Sequence, residues 1–307
     1  MTPELIPVTI IGGYLGAGKT TLLNRLLAGD HGRRLAVLVN DFGSVNIDAD
    51  LITAHDGDTI SLQNGCICCS IADALGDALD QVLALDPLPD QIVIEASGVA
   101  DPAKIAHYGQ GWPGCRLDAV IVLAAAESIR QRAQDQFVGE LVTRQLRGGD
   151  LVLLTKADLV TDDTLDELRN WVDGVTGGGP PVLSVAQGAI DPALVLDSGL
   201  TSMATEKSSE DGLGADELFD SVVLELTAPV ARQRIEAALE HWPADIIRVK
   251  GIVTLENDEA PHVVQRVGRR WSIEPAAGGL EAGPTGRIVV IGLLGSVDLG
   301  ELGLDLP

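Results

Sequence analysis

The segment Gly13-Tyr14-Leu15-Gly16-Ala17-Gly18-Lys19-Thr20 constrains this chain more than any other. It follows a β-branched run, Val8–Ile11, and leads through Thr21 into an apolar-periodic stretch over Thr20–Ala28. A glycine, four residues and then Gly-Lys-Thr, set between a strand and a helix, is the spacing of a phosphate-binding loop. Glycines let the backbone fold around phosphates with its N–H groups pointing inward, and the helix amino terminus adds partial positive charge. In such a loop Gly13, Gly16, Ala17, Gly18 and Thr21 belong to the nucleotide-binding stretch. Lys19 reaches the β- and γ-phosphates, and the Thr20 hydroxyl is placed to ligate Mg²⁺.

Short β-branched runs then alternate with helical stretches. Strands are expected at Leu35–Val39, Gln91–Ile94, Ala119–Leu123, Leu151–Leu154 and Pro181–Ser184, and helices at Ser70–Leu85, Ile129–Leu146 and Asp162–Val172. The apolar runs lack clean alternation, as expected of strands buried on both faces in a mostly parallel sheet. The fold expected is α/β, a P-loop NTPase domain over residues 1–200. Residues 201–220 carry six acids against one Lys and few large apolar side chains, which is linker chemistry and places a linker at 201–217. From 218 to 307 the order changes to strand Ser221–Leu226, helix Val230–His241, strands Ile246–Leu255 and His262–Val267, a Gly/Pro-rich turn and strand Arg287–Gly292. That order describes a smaller α+β domain with an antiparallel sheet.

Charge narrows the function classes. The 21 basic and 45 acidic residues give −24, spread along the chain, and 3% of residues are aromatic. Non-specific nucleic-acid binding and adhesion to an anionic membrane both need basic patches, and base stacking needs aromatic platforms. Neither partner is expected. The longest apolar run, around Ala119–Ala126, is strand-sized, and Met1–Pro7 carries Glu4 with no Lys or Arg, unlike the start of a secretory signal. A cytoplasmic location is expected.

Two further sets of residues carry chemistry. Thr155-Lys156-Ala157-Asp158 ends the run Leu151–Leu154 and resembles the Asn-Lys-x-Asp element that reads guanine. In that element an Asp carboxylate accepts from the ring N1–H and the exocyclic amine, which adenine does not offer, while the Lys stem covers the base. Thr155 departs from the usual Asn, and Ser184-Val185-Ala186 is placed to supply a contact to the guanine carbonyl. The second set is Gln63-Asn64-Gly65-Cys66-Ile67-Cys68-Cys69, just before a helix starting near Ser70. Three of the four cysteines stand within four positions, too close to staple a fold by disulfides. Thiolates ahead of a helix amino terminus have lowered pKa values and bind soft metals well, so Cys66, Cys68 and Cys69 offer two or three bonds to Zn²⁺, Co²⁺ or a related ion. The competing reading is a redox pair or small buried hydrophobes. Cys115 has no assigned role.

Together the P-loop, the Cys-x-Cys-Cys after Asn-Gly, the segment Glu95-Ala96-Ser97-Gly98-Val99-Ala100-Asp101-Pro102 and the Lys-x-Asp resemble the CobW-like GTPases, relatives of the nickel-inserting urease and hydrogenase accessory GTPases. The resemblance runs over nearly the whole chain, including Val39-Asn40-Asp41-Phe42-Gly43 and Arg248-Val249-Lys250-Gly251. It implies a metal-responsive GTP hydrolase that delivers a transition metal to a client metalloprotein or a cofactor-biosynthesis enzyme. It puts Glu95 in the Walker-B-like Glu-x-x-Gly element, holding Mg²⁺ directly or through water, or positioning the attacking water. It makes Lys19 and Glu95 the catalytic pair, and Asp41, standing where many relatives have Glu, a candidate metal contact. Ala124-Ala125-Ala126 replaces the Val-Asp-Ala of many relatives, and the His-rich tracts of some members are absent. His107 lies near the Glu-x-x-Gly element, though a surface or packing role is the commoner fate of a lone His. Two other classes stay open at this point: a non-catalytic nucleotide-dependent metal sensor or scaffold, and a P-loop small-molecule kinase, which needs an Arg-rich lid that Arg269-Arg270 does not make. Self-association into a homo-oligomer is compatible with the sequence.

Overall fold

The structure is a computed structural model in which residues 5–29, 32–39, 59–61, 71–197, 219–243, 245–276 and 286–293 are described. They form two compact units, Leu5–Asp197 and a second that carries the described residues from 219 onward.

The first unit is built on a seven-stranded parallel sheet in the order β3-β2-β4-β1-β5-β6-β7. Its strands are β1 (Ile6–Gly12), β2 (Leu35–Val39), β3 (Thr59–Ser61), β4 (Gln91–Glu95), β5 (Cys115–Ala125), β6 (Leu151–Thr155) and β7 (Val182–Val185). Every residue of β1, β2, β4 and β6 is buried, which is why these runs show no polar alternation. The helices are α1 (Lys19–Ala28), α2 (Ile71–Leu83), α3 (Pro102–Gly111), α4 (Ile129–Ala133), α5 (Gly139–Arg147), α6 (Asp162–Thr176) and the short α7 (Pro192–Val195). Val8, Ile10, Ile92, Ile94, Val120, Val122, Val152 and Leu154 of the sheet share one core with Leu79 and Val82 of α2, Ile105 of α3, Leu146 of α5 and Leu168 of α6. Caps fix the helix starts. The Asp101 carboxylate accepts from the Ala103 amide at 3.1 Å ahead of Pro102, and the Thr161 hydroxyl accepts from the Thr164 amide at 3.3 Å.

One expected element is corrected. The single helix over Ile129–Leu146 is two helices, α4 and α5, separated at residues 134–138. The Asp135 carboxylate accepts from the amides of Phe137 at 2.8 Å and Val138 at 3.2 Å, offering the backbone a local turn in place of helix. Those two bonds, the one from Phe137 first, also hold the Asp135 carboxyl below the usual carboxylate range. Helix α3 and strand β3 were not anticipated, although Asp101-Pro102 is a helix-start signal.

Polar groups tie the end of this unit to the sheet. The Asp197 amide donates to Gln91 Oε1 at 2.8 Å, Gln91 Nε2 donates to Thr9 Oγ1 at 2.7 Å, and Arg116 pairs with Asp197. Cys115 opens β5 inside the core, where burial first and the nearby Asp80 second push its thiol up to about 11. It packs as a small hydrophobe and stays protonated at neutral pH.

The second unit is an antiparallel sheet in the order β11-β10-β9-β12-β8, with β8 (Phe219–Glu225), β9 (Ile246–Leu255), β10 (Asp258–Val267), β11 (Arg270–Pro275) and β12 (Gly286–Leu293). Helix α8 (Arg232–His241) contributes Ile235 and Leu239 to a core with Trp242, Leu224, Val249, Val253, Val264, Ile288 and Val290. Strand β11, also not anticipated, pairs with β10 from Val267↔Arg270 to His262↔Pro275. Arg266 is buried and donates to the carbonyls of Ile246 at 2.9 Å and Trp242 at 3.1 Å. Desolvation and the charge of Arg269 lower its pKa to about 10. Among the described residues no helix is long and apolar enough to cross a membrane.

Candidate nucleotide site

In the parallel sheet β1 lies between β4 and β5, so the chain reverses direction across the sheet around it, and the loops after these three strands converge. Ile11 pairs with Glu95, and Gly12 with Val122. The segment from Gly13 onward therefore emerges between the ends of β4 and β5. At Gly13, φ is +127° and a Cβ would stand 2.2 Å from the Leu123 carbonyl oxygen, so only glycine fits against β5. Gly18 caps α1 at a left-handed φ of 89°.

Lys19 is buried and its Nζ donates to the Gly13 carbonyl at 3.2 Å, holding the ammonium across the mouth of its own loop. Thr20 Oγ1 donates to Glu95 Oε1 at 3.3 Å. A hydroxyl on the first turn of α1 and a buried carboxylate at the end of β4 are thus neighbours, although 75 residues separate them. This pair of hard oxygen donors beside a phosphate cradle fits Mg²⁺, which prefers one or two protein oxygens and leaves its other positions to water and phosphate. Lys19, Thr20 and Glu95, singled out from sequence, are brought together.

The expected base-reading residues lie on the next strands. The hydroxyl of Thr155 at the end of β6 is buried and donates to the Ala17 carbonyl at 2.7 Å, tying this strand directly to the cradle. Thr155 therefore supplies a bond to the loop itself, which sequence reasoning left open. Lys156 follows in a left-handed conformation, φ 55°, and its Nζ pairs with Glu127 Oε1. Asp158, in the 3₁₀ turn Ala157–Leu159, is exposed to solvent. Ser184 lies within β7 and accepts from Arg169 Nη2 at 2.8 Å, and the loop after the strand begins at the exposed Ala186. Arg132 of α4 stands over the ring of Tyr14, 5.7 Å from its centroid, a contact no spacing signal revealed.

Other residues sit apart from this cluster. His107 is on the exposed face of α3, and Ala124, Ala125 and Ala126 are buried at and just after the end of β5, where an acid would be desolvated. Asp41, Cys66, Cys68 and Cys69 lie outside the described residues. Among the described residues no group of three or more His, Cys, Asp or Glu is arranged to hold a metal.

Residues 7–182 match the family "CobW/HypB/UreG, nucleotide-binding domain", and residues 219–301 match the "Cobalamin synthesis protein cobW C-terminal domain". The chain is 31% identical to the zinc chaperone CobW of a Sinorhizobium species, the likeness covering 94% of this chain and 93% of that one. It is 32% identical to the zinc chaperone YjiA of Escherichia coli K12, covering 88% of each. The crystal structure of Zn(II)-bound YjiA GTPase from E. coli aligns over 99% of this chain and 98% of that one, at 24% identity and a TM-score of 0.45. The chain belongs to the CobW/HypB/UreG family of nucleotide-binding GTPases.

Proposed function

We propose that this protein is a metal chaperone that couples GTP hydrolysis to the handover of Zn²⁺ or Co²⁺. The convergence of Lys19, Thr20 and Glu95 at the ends of β1 and β4 carries the nucleotide half of this reading. GTP seats its phosphates in the cradle, and Lys19 Nζ exchanges the Gly13 carbonyl for the β- and γ-phosphate oxygens. Thr20 and Glu95 would hold Mg²⁺, which would supply neutralisation of the phosphate charge. The backbone amides of the cradle and Lys19 stabilise the charge that shifts as water attacks in line. No carboxylate is assigned as a strong general base, so catalysis rests on positioning and electrostatics, and turnover without metal or client is slow.

The cargo half rests on Cys66, Cys68 and Cys69, with Asp41 as a further contact. Support comes from the residue chemistry, since clustered thiolates select soft transition metals and three leave a position open for transfer. Zinc chaperones similar to this chain along nearly their whole lengths support it too. The recipient is a client metalloprotein or a cofactor-biosynthesis enzyme, and the domains at 1–200 and 218–307 joined by the acidic linker 201–217 divide the work of nucleotide binding and client contact.

Phosphate release from GTP and from ATP, compared for the wild type and Asp158→Ala, tests the nucleotide assignment. The Asp158 carboxylate is exposed and accepts two hydrogen bonds from guanine in this reading. Charge-assisted bonds of that kind are worth about 1.5–3 kcal/mol each, so the preference for GTP falls by at least about 10-fold in the variant. Equal use of GTP and ATP by the wild type would overturn the guanine assignment.

A further inference from the structure

Gln145 of α5 belongs to no motif read from the sequence, yet it is only 1% exposed. Its Nε2 donates to the Ala100 carbonyl at 2.7 Å and to the Gly98 carbonyl at 3.2 Å. Because both neighbours are acceptors, the nitrogen end of the amide must face them; the oxygen end would be repelled. The backbone it grips is the turn directly after Glu95-Ala96-Ser97, closed by a bond from the Ala100 amide to the Ser97 carbonyl at 2.9 Å. On its other side this turn abuts the phosphate cradle. A Cβ on Gly98 would stand 2.5 Å from Leu15 Cδ2 and 2.9 Å from the Leu15 backbone nitrogen. The residue before Gln145 joins the same contact, with Arg144 Nε 3.6 Å from Asp101 Oδ2. Helix α5 and the cradle therefore hold residues 98–101 between them.

We infer that Gln145 is a positioning residue for GTP hydrolysis. It acts through the backbone of Gly98 and Ala100, setting the turn that links the Mg²⁺-side carboxylate Glu95 to the cradle, and it touches neither nucleotide nor reacting atoms. Without it two inward-facing carbonyls lose their donor, and the turn shifts to find other partners. Displacements of about 1 Å at a reacting site lower turnover by about 10²-fold, while ground-state phosphate binding by Lys19 and the cradle is retained. The inference rests on the GTPase activity.

The test uses the full chain with Gln145→Met, which keeps volume without a donor, and Gln145→Asn, which keeps the amide but shortens its reach. Both are expected to lower kcat by about 10- to 10²-fold, with the KM for GTP and the affinity for a fluorescent GDP changed by no more than about twofold. The amides of residues 98–101 should exchange hydrogen faster in both. Phe137→Ala, which removes an 84% exposed ring just ahead of α5, should leave kcat unchanged. Wild-type kcat in both Gln145 variants, with only a lower melting temperature, would overturn the inference and leave Gln145 a packing residue. So would unchanged exchange at 98–101. If the wild type itself released no phosphate, the GTPase reading would fall, and the exchange measurement would still decide whether Gln145 sets the turn.

Discussion

Lys19→Ala lowers GTP turnover by about 10²–10³-fold, measured as phosphate release at saturating GTP. The size follows from what the ammonium does. It is placed at the cradle mouth by its own loop, through the 3.2 Å bond to the Gly13 carbonyl. In hydrolysis its charge is strengthened by the water-poor surroundings of a largely buried group. Folding should survive, because the course of the loop is set by Gly13 against Leu123 and by Thr155 on the Ala17 carbonyl. A variant with wild-type turnover would mean that the cradle does not act on a nucleotide triphosphate.

The second large effect is on metal. The Cys66→Ala, Cys68→Ala double variant is expected to lose more than about 10²-fold in Zn²⁺ affinity, measured by competition against a chromophoric chelator. Two of three thiolates are removed, and a lone Cys69 with water is a weak site. The affinity for GDP should stay as in the wild type, since the nucleotide contacts assigned to Gly13, Lys19, Thr20 and Asp158 involve none of these sulfurs. Unaltered Zn²⁺ affinity in the double variant would remove the Cys-x-Cys-Cys site from the account.

Much of this architecture was legible because the residues that make it are local or periodic. Unbroken apolar runs such as Leu35–Val39 and Leu151–Leu154 announced strands buried on both faces, and the Gly13–Thr20 spacing announced the cradle between the first strand and helix. The break between α4 and α5 was missed because helical periodicity continues across it; a single side chain, Asp135, ends the helix by a local hydrogen bond. Contacts between residues distant in sequence were less visible. The role of Thr20 followed from the loop spacing and that of Glu95 from family resemblance alone, and the structure supplies the cause of their meeting in the pairing of Ile11 with Glu95. Thr155 on the Ala17 carbonyl and Gln145 on the 98–100 turn carry no spacing signal, since Thr and Gln are ordinary residues until tertiary packing buries them. Strand β7 runs one residue past its expected end at Ser184, to Val185, because strand boundaries depend on pairing, here with β6.

The central claim is that nucleotide and metal share one free-energy balance: the GTP-bound form holds the transition metal, and the form left after hydrolysis releases it. Linkage requires that the metal then alter nucleotide affinity by the same factor. The direct measurement is the affinity for a non-hydrolysable GTP analogue with and without one equivalent of Zn²⁺, at fixed Mg²⁺. Tighter binding with Zn²⁺ by about 5- to 150-fold is expected, with an equal gain in Zn²⁺ affinity when the analogue is present. Identical nucleotide affinities in the two conditions would contradict it.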